Sequence, residues 1–286
     1  MKTSGRPLVF KFGGELIEDA SRLKTAATAL AAVARTTPLV VIHGGGREID
    51  AALKRTGIEP QQVDGLRITD AATLDVVVAV LAGAVNTRFV AALNTAGVAA
   101  VGLTGADAKC GLSQRAPAHR RVDGRTVDLG HVGVPTDRAD ARLLTTLLGE
   151  GFVPVVASIG IGDDGQLFNV NADTLAGFLA ARLGAHRLVI AGTTPGVLDG
   201  NGQTVALLES SAIAQMVTSG TATAGMIAKL RACERALAGG VGDVLIVDGR
   251  DPAAIEAAIG GRVPASATRV IAMESSAALS GPRHGQ

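Results

Sequence analysis

Two lysines, each tied to a glycine turn, carry most of the chemistry this chain can do. Lys11 stands in Val9-Phe10-Lys11-Phe12-Gly13-Gly14, and Lys229 in Thr223-Ala224-Gly225-Met226-Ile227-Ala228-Lys229. Between them lie a second glycine turn, His43-Gly44-Gly45-Gly46, and a polar segment, Asn169-Val170-Asn171-Ala172-Asp173. A glycine turn between a strand and a helix brings backbone N–H groups and a helix N-terminus up to an anion. A lysine adds mobile positive charge for phosphate oxygens. The set reads as machinery for moving a phosphoryl group.

Each motif also has a plainer reading. Three consecutive glycines are costly in chain entropy, and a plain turn needs fewer, which favours an anion site built on Gly45 and Gly46. A lysine inside an apolar strand is unusual. Lys11 could snorkel at a sheet edge, but the Gly13-Gly14 pair that follows favours function. His43, closing a buried strand, reads as a hydrogen-bonded spacer more readily than as a base. Asn171 suits a helix N-cap and Asp173 the first turn, where it complements the helix dipole; that leaves Asn169 unexplained. In Gly65-Leu66-Arg67-Ile68-Thr69-Asp70, Thr69 or Asp70 caps the following helix. Arg67 offers a fork for a carboxylate, although a surface salt bridge fits its spacing equally well. Gly160-Ile161-Gly162-Asp163-Asp164-Gly165 matches a dinucleotide pattern, but a short strand follows it instead of a helix, so it reads as a hairpin turn. No P-loop stretch exists.

The elements that must position these residues alternate. Leu8–Phe12, Leu39–His43, Ala99–Leu103, Val153–Ser158, Arg187–Ala191, Asp243–Asp248 and Thr268–Ala272 read as strands. Ser21–Ala34, Arg47–Thr56, Ala71–Ala96, Asp137–Gly149, Ala172–Leu183, Ser210–Ser219, Gly225–Ala238 and Pro252–Ile259 read as helices. This alternation implies a mostly parallel α/β sheet with helices on both faces and ligands at the carboxyl ends of its strands. Residues 115–135 break the rhythm: Asp123-Gly124 is a hairpin turn signal, decorated by Arg115, His119, Arg120, Arg121 and Arg125. A solvated charged hairpin is the simpler reading, a flap over a ligand the sharper one. A junction near Gly184-Ala185 divides a front lobe, 1–184, from a back lobe, 185–286. The Ser-, Gly- and Pro-rich tail from Ser275 reads as frayed.

Bulk properties narrow the class. Of 286 residues 47% are apolar, Trp and Tyr are absent and Phe numbers six, so the core must be aliphatic, as in buried parallel strands. Lys and Arg number 27 against 26 acids, a net charge of +1, without the basic excess of a nucleic-acid binder. Cys110 and Cys233 are far apart and in no metal-ligand spacing, which suits free thiols in a reduced compartment. The N-terminus shows no signal-peptide pattern. The most apolar window, Val76 to Val85, falls short of the ~20 residues a membrane span needs. The expectation is a cytoplasmic protein with no nucleic-acid or membrane partner and no resident metal site.

Lys-Phe-Gly-Gly at 11–14, His-Gly-Gly-Gly at 43–46, Gly-Leu-Arg-Ile-Thr-Asp at 65–70, Leu-Gly-His-Val-Gly at 129–133, Asn-Val-Asn-Ala-Asp at 169–173 and Gly-Met-Ile-Ala-Lys at 225–229 resemble, in order and over nearly the whole chain, the N-acetylglutamate kinases of the amino-acid kinase family. The resemblance implies a three-layer αβα sandwich with a mostly parallel central sheet. It implies a front lobe for the amino acid and dimerisation, and a back lobe for ATP. The implied reaction is ATP- and Mg²⁺-dependent phosphorylation of the side-chain carboxylate of N-acetyl-L-glutamate, in arginine biosynthesis. Carried over by position, Gly45, Gly46, Arg67 and Asn169 would hold acetylglutamate. Lys11 and Lys229 would stabilise the transferring group and Asp173 would orient them. Gly13, Thr193, Gly196, Thr221, Ala222 and Thr223 would line the nucleotide site. Thr193 departs from the family, which often has an acidic residue there. Arginine-inhibited members carry an extra N-terminal helix; with only seven residues before the first strand, the implied assembly is an arginine-insensitive homodimer.

Rival readings share the fold. A kinase acting on aminoadipate attached to a carrier protein has most of these motifs, and the basic hairpin would suit an acidic carrier. Glutamate 5-kinase typically lacks the Asn-Val-Asn-Ala-Asp pattern. A non-catalytic amino-acid sensor would be expected to lose Lys11, Asp173 or Lys229, and all three are present.

Overall fold

The computed structural model describes residues 5–14, 19–121, 124–218 and 224–273. Strand β1 (Leu8–Phe12) leads to helix α1 (Ala20–Ala34), β2 (Leu39–His43), α2 (Gly46–Arg55) and a hairpin of β3 (Gln62–Val63) and β4 (Leu66–Arg67). A long helical run follows: α3 (Ala71–Val78), a π-helical stretch (Ala79–Val85) and α4 (Asn86–Thr95). Next come β5 (Ala100–Thr104), β6 (Ser113–Arg115), β7 (His119–Arg120), β8 (Thr126–Val127), β9 (Val132–Pro135) and α5 (Arg142–Gly149). The chain continues through β10 (Val153–Ala157), β11 (Ile159–Ile161), β12 (Leu167–Val170), α6 (Ala172–Arg182) and β13 (Arg187–Gly192). It closes with β14 (Leu207–Glu209), α7 (Ser210–Thr218), α8 (Ala224–Ala238), β15 (Asp243–Asp248), α9 (Pro252–Ile259) and β16 (Thr268–Ile271).

Eight strands form one sheet in the order β14-β16-β15-β13-β1-β2-β10-β5. All neighbours pair in parallel except β15 with β16. Strand alternation sorts the core onto two faces. Leu8, Phe10 and Phe12 pack with Leu23 and Leu30 of α1, Phe89 and Leu93 of α4 and Ile255 of α9. Val9 faces the other way, with Phe178 of α6, Leu230 and Leu237 of α8 and Leu144 of α5. The result is a three-layer αβα sandwich. Lys11 shares the face of Val9, so its side chain points toward α6 and α8. Aromatic residues are few, but Phe12 and Phe89 meet edge-on at 5.4 Å, a pairing worth roughly 1 kcal/mol beyond its buried area.

The strand ends are level where it matters. Phe12 pairs with His43 on one side and Ala191 on the other, and Ala157 pairs with His43. The loops after β1, β2, β10 and β13 therefore open onto one edge. The chain steps from β1 to β2 on one side and returns later to β13 on the other, so β1 lies at a switch point, the usual place for a ligand crevice.

A smaller sheet, β11-β12-β9-β6, covers part of that edge. The 163–165 hairpin expectation holds: β11 and β12 pair antiparallel, and Gly165 takes the left-handed φ of 85° at the turn. At 119–127 a second hairpin forms, with Gly124 at φ 83°; Asp123 lies outside the described residues.

Two expectations need correction. The helix expected from Asp137 begins at Arg142, because a turn closes first (Ala139 N–H to Thr136 carbonyl, 3.1 Å) and the Asp140 carboxylate accepts from the Arg142 N–H at 2.9 Å. The apolar stretch at 76–85 is part of an uninterrupted helical run, Ala71–Thr95, long and apolar enough by length and composition to cross a bilayer. One side of that run is committed to the core, with Leu81, Val85, Phe89 and Leu93 almost fully buried.

Candidate active site

Local sequence explains why the polar residues converge. Gly13-Gly14 ends β1 and Gly44–Gly46 carries β2 into α2. These two turns touch backbone to backbone: a Cβ at Gly14 would lie 2.7 Å from Gly45 Cα and 2.9 Å from Gly46 N. A side chain at Gly45 would strike Leu81 of the π-helical stretch at 2.8 Å. The backbone contacts leave no room for a side chain at Gly14, whereas one at Gly45 would have to displace the buried Leu81 side chain. Asn171 caps α6, its side-chain oxygen accepting from the N–H groups of Asp173 and Thr174 at 2.9 and 3.1 Å. That fixes Asp173 in the first turn, aimed at the strand ends.

A cleft of about 590 Å³ opens along this edge. Lys11, Asp173 and Lys229 sit together in it. The Lys11 ammonium lies 2.8 Å from one Asp173 carboxylate oxygen and the Lys229 ammonium 3.3 Å from the other. All three side chains are at most 17% exposed. Burial by itself would raise the Asp173 carboxyl; the two ammonium groups, Lys11 foremost, and their hydrogen bonds outweigh it and hold the group below the ordinary carboxylate range. The trio thus carries one net positive charge in a sheltered place, a poor resting arrangement and a good receptor for an anion.

Gly13, Gly45, Gly46 and Thr193 also line the cleft, as do Arg67 and Asn169. Arg67 comes from the β3–β4 hairpin, whose turn residues Asp64 and Gly65 have φ of 46° and 75°, the mirror-image turn that Asp-Gly favours. Its guanidinium is only 8% exposed and reaches Asp50 of α2 at 2.6 Å and the Gly46 carbonyl at 3.2 Å. Arg67 is therefore anchored in the cleft wall, not on the surface, with further N–H donors on the same fork. Asn169, on β12, donates to the Thr69 hydroxyl at 3.1 Å. Asp70, not Thr69, caps α3, accepting from the Thr73 N–H at 2.8 Å.

Not every expected position is in the cleft. Gly196 packs against β16, where a Cβ would meet the Thr268 hydroxyl at 2.4 Å, and it is not among the lining residues. Thr221, Ala222 and Thr223 lie outside the described residues. Sequence reasoning missed Asp50, Ser158 and Gly192, all of which line the cleft; the level strand ends make Ser158 and Gly192 visible only once the register is known. The basic hairpin is partly neutralised, since Arg115 pairs with Asp128 at 2.9 Å, and the His119 Nε2 lies 2.8 Å from an Asp64 carboxylate oxygen. Both cysteines are buried free thiols. Burial pushes Cys110 up to about 12 and raises Cys233 as well, so neither offers a thiolate nucleophile.

Such a site, with two cations on one carboxylate facing two glycine turns, can neutralise a transferring phosphoryl group. Comparison with known proteins agrees. Residues 6–248 match the amino acid kinase family. An acetylglutamate kinase from Symbiobacterium thermophilum is 44% identical over 255 residues, covering 87% of this chain and 86% of the relative. One from Acidiphilium cryptum is 41% identical over 255 residues, covering 87% and 85%. Among solved structures, N-acetylglutamate synthase from Neisseria gonorrhoeae shares the fold at a TM-score of 0.80 and 24% identity; this chain is matched over 96% of its length and spans 61% of that longer protein. Carbamate kinase from Giardia lamblia matches at a TM-score of 0.67 and 14% identity, over 94% of this chain and 99% of the other. The chain belongs to the amino acid kinase family.

Proposed function

We propose that this chain is an acetylglutamate kinase, transferring the γ-phosphoryl group of ATP to the side-chain carboxylate of N-acetyl-L-glutamate in arginine biosynthesis. The observation that carries the reading is the Lys11–Asp173–Lys229 trio facing the paired glycine turns. Relatives about 40% identical over most of the chain, named acetylglutamate kinase, supply the acceptor.

The chemistry follows from charge. The acceptor carboxylate has an ordinary pKa near ~4.3 and is ionised at neutral pH, so the reaction needs no general base. Its obstacle is repulsion between two anions brought into line. Lys11, on the sheet, and Lys229, on α8, approach the transferring group from different elements and offset that repulsion. The N–H groups of Gly45 and Gly46 add fixed dipoles beside the acceptor. Asp173 holds both ammonium groups in place and leaves them net positive. Arg67 takes a carboxylate of acetylglutamate and Asn169 its polar backbone groups.

ATP fits the other end of the cleft, along Gly13 and Thr193, with Lys229 against Gly192 (Cε 3.3 Å from a built Cβ). We assign Gly196, Thr221 and Thr223 to shaping the nucleotide lobe. Among the described residues no group of three or more His, Cys, Asp or Glu side chains could cage a metal. That donor set suits Mg²⁺ arriving on the phosphates of the nucleotide. The reading divides the chain at 184: Arg67 and Asn169 for the acid before it, Thr193 and Lys229 for the nucleotide after it. It also places the protein in the cytoplasm, which the two free thiols suit, as a homodimer, which the side of β5 left unpaired among the described residues suits.

The test is acyl phosphate formation from Mg-ATP, trapped with hydroxylamine, on N-acetyl-L-glutamate, L-glutamate and N-acetyl-aminoadipate. Turnover confined to N-acetyl-L-glutamate is expected. Preference for the longer acid, or binding without turnover, would overturn the assignment.

A further inference from the structure

His43 is the buried titratable group that the proposed reaction leaves without a task. It ends β2, is fully buried, and stands immediately before the glycine turn. By alternation along β2 its ring lies on the α1/α4 face of the sheet, stacked on Phe89 with ring centroids 6.1 Å apart. Its two ring nitrogens have different partners. Nε2 faces the side-chain nitrogen of Asn86 at 3.0 Å, and Nδ1 faces the Gly44 carbonyl at 3.1 Å.

The proton on this ring can be located by counting. The Asn86 side-chain nitrogen also donates to the Val155 carbonyl at 2.9 Å and reaches the Leu103 carbonyl at 3.3 Å. It is therefore a donor, and the amide cannot be turned round without opposing oxygens to those carbonyls. Of its two hydrogens, one goes to the Val155 carbonyl and the other to Nε2, shared with the more distant Leu103 carbonyl, so Nε2 presents its lone pair. The ring proton then sits on Nδ1 and is donated to the Gly44 carbonyl. Asn86 is held firmly enough to impose this. It is 5% exposed, begins α4 directly after the π-helical stretch, and its oxygen occupies space that only a glycine at 102 leaves open, 2.1 Å from a built Cβ.

The consequence lies one bond further on. In a trans peptide the carbonyl of one residue and the N–H of the next point in opposite directions, and no cis peptide occurs among the described residues. Holding the Gly44 carbonyl toward the His43 ring turns the Gly45 N–H the other way, toward the face that carries Lys11. Glycines on both sides of this peptide give it little resistance of its own to rotation. We infer that His43, oriented by Asn86, is a positioning residue that locks the Gly44–Gly45 peptide so that the Gly45 N–H faces the transferring phosphoryl group. This inference rests on the phosphotransferase reading of the same cleft.

Two variants separate this role from packing. His43→Asn can place an amide N–H near the position of Nδ1. His43→Leu fills the apolar surroundings better but offers no donor. If His43 only packs, Leu should be the better tolerated for both stability and activity. Positioning demands opposite orders: Leu at least as stable to heat as Asn, yet with kcat roughly 100-fold below the parent, the scale of losing one oxyanion donor. His43→Asn should stay within about tenfold of the parent on the same scale, and the KM for both substrates should shift little in either. A Leu variant with near-parental kcat, or kcat tracking Tm across the pair, overturns the inference. A second measurement needs no variant enzyme activity: nitrogen NMR of the ¹⁵N-histidine-labelled parent, the His43 signal assigned by its loss in His43→Asn. A neutral ring protonated on Nδ1 is expected, and protonation on Nε2 overturns the inference. A parent without turnover, but with the Nδ1 tautomer, would instead count against the proposed reaction.

Discussion

The two ends of the central sheet each hold two cations on one buried aspartate, and they do different work. At the carboxyl end Lys11 and Lys229 share Asp173. At the amino end Arg187 grips Asp243 with two bonds of 2.8 and 2.9 Å, Arg269 adds a third at 2.8 Å, and Arg187 also donates to the Ala258 carbonyl at 3.2 Å. The charge arithmetic is the same. The geometry is not. Planar guanidinium forks lock β13, β15 and β16 together and occupy both carboxylate oxygens, whereas ammonium groups on flexible stems can turn toward a newcomer. The lysine trio opens onto the cleft, and none of the arginine trio lines it. One constellation is a bolt and the other a receptor.

This contrast can be broken most sharply by removing a lysine. Lys11→Ala or Lys229→Ala is expected to lower kcat by about 10³-fold, the scale of electrostatic stabilisation lost from a sheltered site. Urea unfolding should show the fold retained in both. Near-parental kcat in both variants would remove the lysines from the reaction.

A smaller effect separates the site's carboxylate from its histidine by pH. Burial holds His43 down at about 4, against ~6.5 in an unfolded chain. The unfolded state therefore takes up the proton first. Stability is full above pH ~6.5 and falls by roughly 3 kcal/mol as pH drops toward 4. Asp173 is also held low, so its stabilising charge is lost only below the ordinary carboxylate range. Unfolding free energies of the parent and His43→Asn, measured from pH 7 to 4.5, should converge as pH falls. A constant gap would show that His43 is not buried neutral.

Smaller again is the spacing of the helices that carry the trio. Gly177 lies one turn beyond Asp173 on α6, and a Cβ there would meet the Ala232 carbonyl oxygen of α8 at 2.5 Å. Gly177→Ala should push α8, and Lys229 with it, away from Asp173. The expected result is a stability loss of about 1–3 kcal/mol and a kcat reduced several-fold. Unchanged kcat would mean the helix spacing does not set the lysine.

Much of this was legible in the sequence because the signals are local. Apolar runs ending in glycine turns mark β1 and β2 and place Lys11, and Asn171 announces the start of α6. What was not legible depends on pairing across the chain. Arg187, Asp243 and Arg269 carry no common motif and meet only through strand register. Asp50 gives no hint that it faces Arg67. The π-helical stretch reads as ordinary apolar helix, so neither its contact with Gly45 nor the hold of Asn86 on His43 could be foreseen. The late start of α5 turns on one aspartate side chain competing with the helix for a backbone N–H.

The most direct test compares Asp173→Asn with Asp243→Asn, measuring kcat and unfolding free energy for each. Asp173→Asn is expected to lower kcat by about 100-fold or more as the lysines lose their holder. Asp243→Asn is expected to keep parental kcat while losing about 3–5 kcal/mol of stability from uncompensated buried charge. If the two variants lose activity and stability in the same proportion, the ends of the sheet are not specialised and the assignment of the lysine trio to phosphoryl transfer is wrong.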